Sequence, residues 1–135
     1  MIDFNLRKNQ YANLSILLAE DNNLNRNMMV KILQKMGYDN LVVVNDGKEA
    51  IEKYNNFKFD LILLDNKMPN INGLDVCKYI REKDTDQIII ILSADPIEFF
   101  SNNEKELIND FCRKPIKMLD IDIILQKWGK KLFKT

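Results

Sequence analysis

The chain contains no histidine. That absence removes Ser-His-Asp and Cys-His catalysis, HExxH zinc sites and phosphohistidine chemistry from these residues, because each needs an imidazole. Any chemistry must rest on carboxylates, hydroxyls, lysine or a hard metal ion. Cysteine is scarce too: Cys77 and Cys112 are the only two, far apart and in apolar-looking surroundings. Buried reduced thiols and a cytoplasmic location are the expectation. No apolar run approaches the roughly 20 residues of a membrane helix, and the N-terminal MIDFNLRKNQYANL lacks the continuous apolar core of a signal peptide. Membrane insertion is therefore not expected. Neither sign of charge is in excess, with 20 basic and 20 acidic residues, so nothing suggests a general attraction to nucleic acid.

What is present is a regular alternation. Short aliphatic runs occur at Ser15–Ala19, Leu41–Val44, Leu61–Leu64 and Ile88–Leu92, with a weaker one at Phe111-Cys112. They lack polar alternation, as strands do when helices cover both faces of a parallel sheet. Between them lie stretches of helical period. Leu24, Met28, Ile32 and Met36 form an i, i+4 stripe, and Gly37 is placed to end that helix. Asp46 and Asn72 are placed to cap Gly47–Asn55 and Gly73–Glu82. Pro96 opens a fourth, weak helical stretch containing Phe99, Phe100 and Leu107, and Ile121, Ile124, Leu125, Trp128 and Leu132 mark a fifth. Five β-then-α units predict one doubly wound α/β domain over residues 14–135, with residues 1–13 as a loosely held tail.

In such a sheet ligands bind outside the carboxyl ends of the strands. The first run ends in Glu20-Asp21, the third in Asp65, the fourth in Ser93-Ala94 and the fifth in Lys114-Pro115. Taken singly, each is an ordinary cap, loop or turn residue. Together they are what phosphoryl chemistry on a carboxylate requires. Three gathered carboxylates repel unless a cation relieves them, and an all-oxygen set suits Mg²⁺. One oxygen of Asp65 would remain free for attack on phosphorus. Ser93, Lys114 and the backbone N–H groups of Asn66 and Ala94 would cradle the equatorial oxygens.

These residues resemble the receiver domain of two-component response regulators. The resemblance rests on ILLAEDN at 16–22, LILLDNKMPNINGLD at 61–75, IIILSAD at 89–95 and FCRKPI at 111–116, and covers about residues 14–134. The texture is that of receivers attached to hybrid histidine kinases. It implies the five-stranded (βα)5 flavodoxin-like fold with strand order 2-1-3-4-5. Asp65 would accept the phosphoryl group of a phosphohistidine on a histidine kinase or histidine phosphotransfer protein. Asp21, Asp65 and the Lys67 backbone carbonyl would hold Mg²⁺, or Mn²⁺ in its place, with Glu20 acting partly through water. Ser93 would be the switch hydroxyl, Lys114 the phosphate-pairing lysine, Phe111 the aromatic that turns inward, and Pro115 a cis-proline. The domain would catalyse only its own phosphorylation and dephosphorylation.

Some positions depart from the family's commoner residues. Ser93 replaces threonine and loses a methyl that restrains its rotamer. Phe111 lacks the hydroxyl of the frequent tyrosine. Lys67 and Asp95, each two residues past a key group, are placed to pair across the mouth of the site and slow attack by water. Leu119 and Ile123 lie off the inward stripe of the fifth helix, so the surface of the fourth helix, fifth strand and fifth helix is expected to bind an effector or a second copy. Three other readings fit less well. A haloacid dehalogenase-type phosphohydrolase would carry an acid where Lys67 stands. A binding-only relative would have no need of the intact acceptor set. A flavodoxin-like cofactor binder would not place two acids after its first strand.

Overall fold

The computed structural model describes residues 9–133. Its five strands are β1 (Ile16–Ala19), β2 (Leu41–Val44), β3 (Leu61–Asp65), β4 (Ile88–Ser93) and β5 (Asp110–Arg113). All pair in parallel, in the order β2-β1-β3-β4-β5. The helices are α1 (Asn23–Lys35), α2 (Gly47–Asn56), α3 (Gly73–Arg81), α4 (Asn102–Leu107) and α5 (Met118–Leu132). This is the doubly wound flavodoxin-like arrangement that the alternating pattern predicts.

The period of two in a strand explains the unbroken aliphatic runs. Leu61 and Leu63 face a core that includes Leu33 of α1 and Leu125 of α5, while Ile62 and Leu64 face one that includes Ala50 of α2 and Val76 of α3. Every residue of β1, β3 and β4 is buried, each large aliphatic contributing about 1.5–3 kcal/mol. At the sheet edge β2 is looser, with Val43 exposed. Both thiols, Cys77 and Cys112, are free and buried, and burial pushes them up to about 12 and about 11.

Both expected caps form, at Asp46 and Asn72, and Asn22 caps α1 as well. Asn22, Asp46 and Asn72 accept hydrogen bonds from the N–H groups of Asn25, Glu49 and Asp75 at 2.9, 2.8 and 2.9 Å. Gly37 adopts φ +94° directly after α1, a left-handed conformation that glycine takes without strain.

Four expectations need correction. The buried stripe of α1 is Met29, Leu33 and Met36, with Ile32 half-buried; Leu24 and Met28 face outward. Packing against the sheet selects a stripe at i, i+4 and i+7, from Met29 through Leu33 to Met36, instead of the straight i, i+4 row. The fourth helical stretch is split into a 3-10 turn at Ile97–Phe99 and the six-residue α4. Phe100 turns into the core between them, and Ser101 restarts the helix through a capping box with Glu104. Leu132 is exposed, because the inward stripe of α5 ends at Trp128.

Residues 9–13, expected as part of a loose tail, pack against the domain; residues 1–8 of that expected tail lie outside the described residues. Tyr11 is buried against Gly129 and stacks on Phe133 at 5.7 Å between ring centroids. Asn9 donates to the Met36 carbonyl at 2.7 Å, closing the end of α1.

Arg81, at the end of α3, ties the base of the sheet together. Its guanidinium donates to the carbonyls of Leu107, Asp84 and Gln87 and to Asn109 Oδ1, at 2.7 to 3.2 Å. No helix among the described residues is long and apolar enough to cross a membrane.

Candidate functional site

The sheet register assembles the site. Ala19 pairs with Leu64, which sets Glu20 beside Asp65; Ser93 pairs with Arg113, which sets Ala94 beside Lys114. One carboxylate oxygen each of Glu20, Asp21 and Asp65 lies within 4.8 Å of the others. Glu20 and Asp65 are nearly fully buried at 1% and 5% exposure, while Asp21 is open to solvent. Buried charge demands compensation, and Lys114 supplies it. Its ammonium lies 2.7 Å from Glu20 Oε1 and 2.9 Å from Asp65 Oδ1.

The two buried carboxyls are driven apart in acidity. Burial, reinforced by the Glu20 carboxyl beside it, pushes Asp65 up to about 7 against the opposing pull of Lys114. Burial also opposes ionisation of Glu20. There, hydrogen bonds with Asp65, Lys114 and the Asn22 N–H together outweigh it and hold the group below its ordinary value. Lys114 is raised: burial disfavours its charge, but the two carboxyls more than compensate.

The surrounding positions follow. Ser93 is buried, and its Oγ accepts from the Asp95 N–H at 3.1 Å. Lys67 Nζ and Asp95 Oδ2, two residues past Asp65 and Ser93, form an ion pair at 3.2 Å, with side chains 75% and 33% exposed. Ala94 is exposed and Asn66 half-buried. The Asn66 N–H donates to the Leu92 carbonyl at 2.9 Å, and the Asn66 carbonyl accepts from Gly73 N–H at 2.8 Å. Phe111 is half-buried on β5, away from the carboxylates, edge-to-face with Phe100 at 5.8 Å. The Lys114–Pro115 peptide is cis.

Three supporting residues went unread in the sequence. Arg26 donates to the Glu20 carbonyl at 3.0 Å and also bonds Asn23, fixing the acidic turn. The Asn22 N–H donates to Glu20 Oε2 at 3.3 Å. Phe100 backs Phe111. For Arg26 a signal existed, an arginine one turn into a helix that starts directly after two acids. For Phe100 there was none, since FFSNN gives no clue to which phenylalanine turns inward.

A groove of about 300 Å³ opens beside the acidic cluster, running from Glu20 and Lys114 along Met28, Met29 and Ile32 of α1 to Pro115 and Ile116.

The fold and site define a flavodoxin-like α/β domain with a lysine-balanced acidic pocket at the carboxyl edge of its sheet. A profile described as the response regulator receiver domain matches residues 16–126, and the chain belongs to that family. It is thus a receiver domain of two-component and phosphorelay signalling. The chemotaxis protein CheY of Thermotoga maritima is 37% identical over 79 residues, 58% of this chain and 66% of that one. The hybrid signal transduction histidine kinase B of Dictyostelium discoideum is 33% identical over 126 residues, which is 83% of this chain but 6% of the kinase. The chain thus spans only part of the length of these relatives. Among solved structures, the receiver domain of sensor histidine kinase PA1611 from Pseudomonas aeruginosa, with magnesium coordinated in its active-site cleft, superposes with a TM-score of 0.79 at 30% identity. That likeness covers 87% of this chain and 98% of the other.

Proposed function

We propose that Asp65 is the phosphoacceptor of this receiver domain and that the donor is a phosphohistidine on a histidine kinase or histidine phosphotransfer protein. The reading is carried by one observation: three carboxylates and one ammonium, delivered by three different strand ends, meet at a single point of the sheet edge. No imidazole exists in the chain, so the donor lies outside these residues.

In the transfer, a carboxylate oxygen of Asp65 forms a bond to phosphorus as the P–N bond of the donor breaks. The electron pair of that bond stays with the imidazole nitrogen. Lys114 neutralises one phosphoryl oxygen, Ser93 donates a hydrogen bond to another, and the Ala94 N–H completes the cradle; the Asn66 N–H, expected to join it, is instead spent on the Leu92 carbonyl in the sheet ladder. Reversal to the resting state is hydrolysis. Water oxygen attacks phosphorus, the Asp65 O–P bond breaks, and inorganic phosphate leaves.

The donor set fits a hard divalent ion, since only oxygen ligands converge there. Glu20, Asp21, Asp65 and the Lys67 carbonyl would hold Mg²⁺, or Mn²⁺ in its place. When bound, the ion supplies charge neutralisation for the incoming phosphoryl group. The domain catalyses only its own phosphorylation and dephosphorylation, in the cytoplasm, where its two free thiols stay reduced.

The apolar groove along α1 suits docking of the donor. Leu24 and Met28 stand 71% and 44% exposed beside it, and its inner end is formed by Glu20 and Lys114. Output is assigned to the α4-β5-α5 surface, where Phe99, Leu119 and Ile123 are exposed and would meet an effector or a second copy. Ile123→Lys is expected to abolish phosphorylation-dependent association; intact association would refute that assignment.

Intact mass after incubation with Mg²⁺ and acetyl phosphate tests the acceptor. A gain of one phosphoryl group that needs Mg²⁺ and disappears in Asp65→Asn is expected. A folded wild-type chain that gains nothing, including when sampled within seconds, would overturn the proposal.

A further inference from the structure

The Ala94–Asp95 peptide, just past the end of β4, is gripped from both sides. Its N–H donates to Ser93 Oγ at 3.1 Å, and its carbonyl accepts from Arg113 Nε at 2.7 Å. The register explains the second contact. Ser93 lies opposite Arg113 in the parallel pair of β4 and β5, and the Lys114 N–H donates to the Ser93 carbonyl at 2.8 Å. One residue further on, where the strands end, the Arg113 side chain takes over from the backbone ladder.

The two grips differ in what else is asked of them. In the proposed transfer the Ser93 hydroxyl is also claimed by a phosphoryl oxygen. Arg113 is exposed, and its guanidinium has no other hydrogen bond and no ion pair among the described residues. What it holds is a main-chain carbonyl, through a short bond from a charged donor. The peptide so held carries Asp95, whose Oδ2 lies 3.2 Å from Lys67 Nζ. An exposed ion pair has little holding power of its own. Its geometry therefore depends on the backbone that bears Asp95.

We infer that Arg113 is a positioning residue for the aspartyl phosphate: by holding the Ala94 carbonyl it keeps Asp95 paired with Lys67, and so slows attack by water on phosphorus. The inference rests on the reading of Asp65 as acceptor and of the Lys67–Asp95 pair as a gate. Arg113 bonds to none of the site's carboxylates and acts through the peptide alone.

The donor atom defines the test. Arginine Nε is bonded to Cδ, and so is the amide nitrogen of glutamine, so Arg113→Gln keeps a donor at the same reach. Arg113→Met keeps the length and has no donor. Both lose the charge, so a general electrostatic effect is common to the two. The readout is the decay of aspartyl phosphate formed from acetyl phosphate with Mg²⁺, once the donor is removed. Arg113→Met is expected to shorten the lifetime about two- to fivefold, the factor for a net hydrogen bond toward the lower end of its range. Arg113→Gln is expected to keep the wild-type lifetime, and Tm should hold in both. In the Lys67→Ala background Arg113→Met is expected to add nothing. Equal lifetimes in the two Arg113 variants, no change in Arg113→Met, or an undiminished effect in the Lys67→Ala background would overturn the inference. The unsubstituted chain supplies a further check. With beryllofluoride and Mg²⁺ bound, the Arg113 Nε–H is expected to exchange slowly with water, and exchange as fast as in the unfolded chain would also overturn it. Lys67→Ala decaying like wild type would remove the gate, and a wild type that gains no phosphoryl group would remove the acceptor; either result takes this inference with it.

Discussion

Lys114 Nζ sits 2.9 Å from Asp65 Oδ1, yet Asp65 is pushed up to about 7. Burial and the neighbouring Glu20 carboxyl outweigh the ammonium, so the folded, metal-free chain binds a proton at Asp65 more tightly than the unfolded chain does. The sign follows by linkage. Stability from this group is fully present below the ordinary value of 3.8 and is lost as pH rises through about 7. In EDTA, Tm should fall between pH 5 and 8, with a slope from this group of at most about 1.4 kcal/mol per pH unit. Asp65→Asn should flatten that slope, and Mg²⁺ at pH 8 should restore stability. An equal slope in Asp65→Asn would contradict the assignment.

Gly73 lies directly under the acceptor. A Cβ there would come 2.6 Å from the Asp65 carbonyl oxygen and 3.0 Å from Asn66 Cα, both backbone atoms that cannot swing aside. Gly73→Ala should lower stability by about 1–3 kcal/mol, as overpacking does. Because the displaced strand end carries Asp65, phosphorylation by acetyl phosphate should slow as well. Urea melts and the mass assay read the two effects separately.

The Lys67–Asp95 pair, two residues past Asp65 and Ser93, closes at 3.2 Å. It is exposed, so its worth to stability is about 0–1 kcal/mol and melting should barely register its loss. As the proposed gate it would act on water instead. Lys67→Ala should shorten the lifetime of the aspartyl phosphate severalfold while Tm holds. A decay rate equal to wild type would dismiss the gate.

Tyr11 fills the space that Gly129 leaves. A Cβ on Gly129 would come 2.6 Å from Tyr11 Cγ, the root of the ring and not its movable end. Tyr11→Ala should destabilise the domain by about 3 kcal/mol, in the range for large aromatic truncations. A chain starting at Leu14 should show a similar loss, and one that melts like the full chain would argue that the segment contributes nothing.

How far the sequence discloses this molecule depends on what kind of signal each part needs. The strands were legible because a strand buried on both faces must be aliphatic throughout, and Ile88–Leu92 has no other economical reading. The acidic cluster was legible because strand ends in a doubly wound sheet converge whatever the loops do. The outward face of α1 was not, since Met28 and Met29 are chemically alike and only the sheet distinguishes them. Arg81 was also silent: its partners are mostly backbone carbonyls, which leave no trace in side-chain identity. Asn66 looked like a backbone donor alone, and its orphaned oxygen emerged only once burial was known.

Lys114 and Glu20 are 94 positions apart, and their pairing forms only when β5 is docked into the sheet. The pocket therefore has no existence in any fragment of the chain or in a partly opened state that frees β5 from β4. An ion or phosphoryl group held there is felt by the whole domain at once, as ligand-linked stabilisation of the global native state. Occupancy of the pocket should then slow amide exchange evenly, in the far edge strand as much as beside the site.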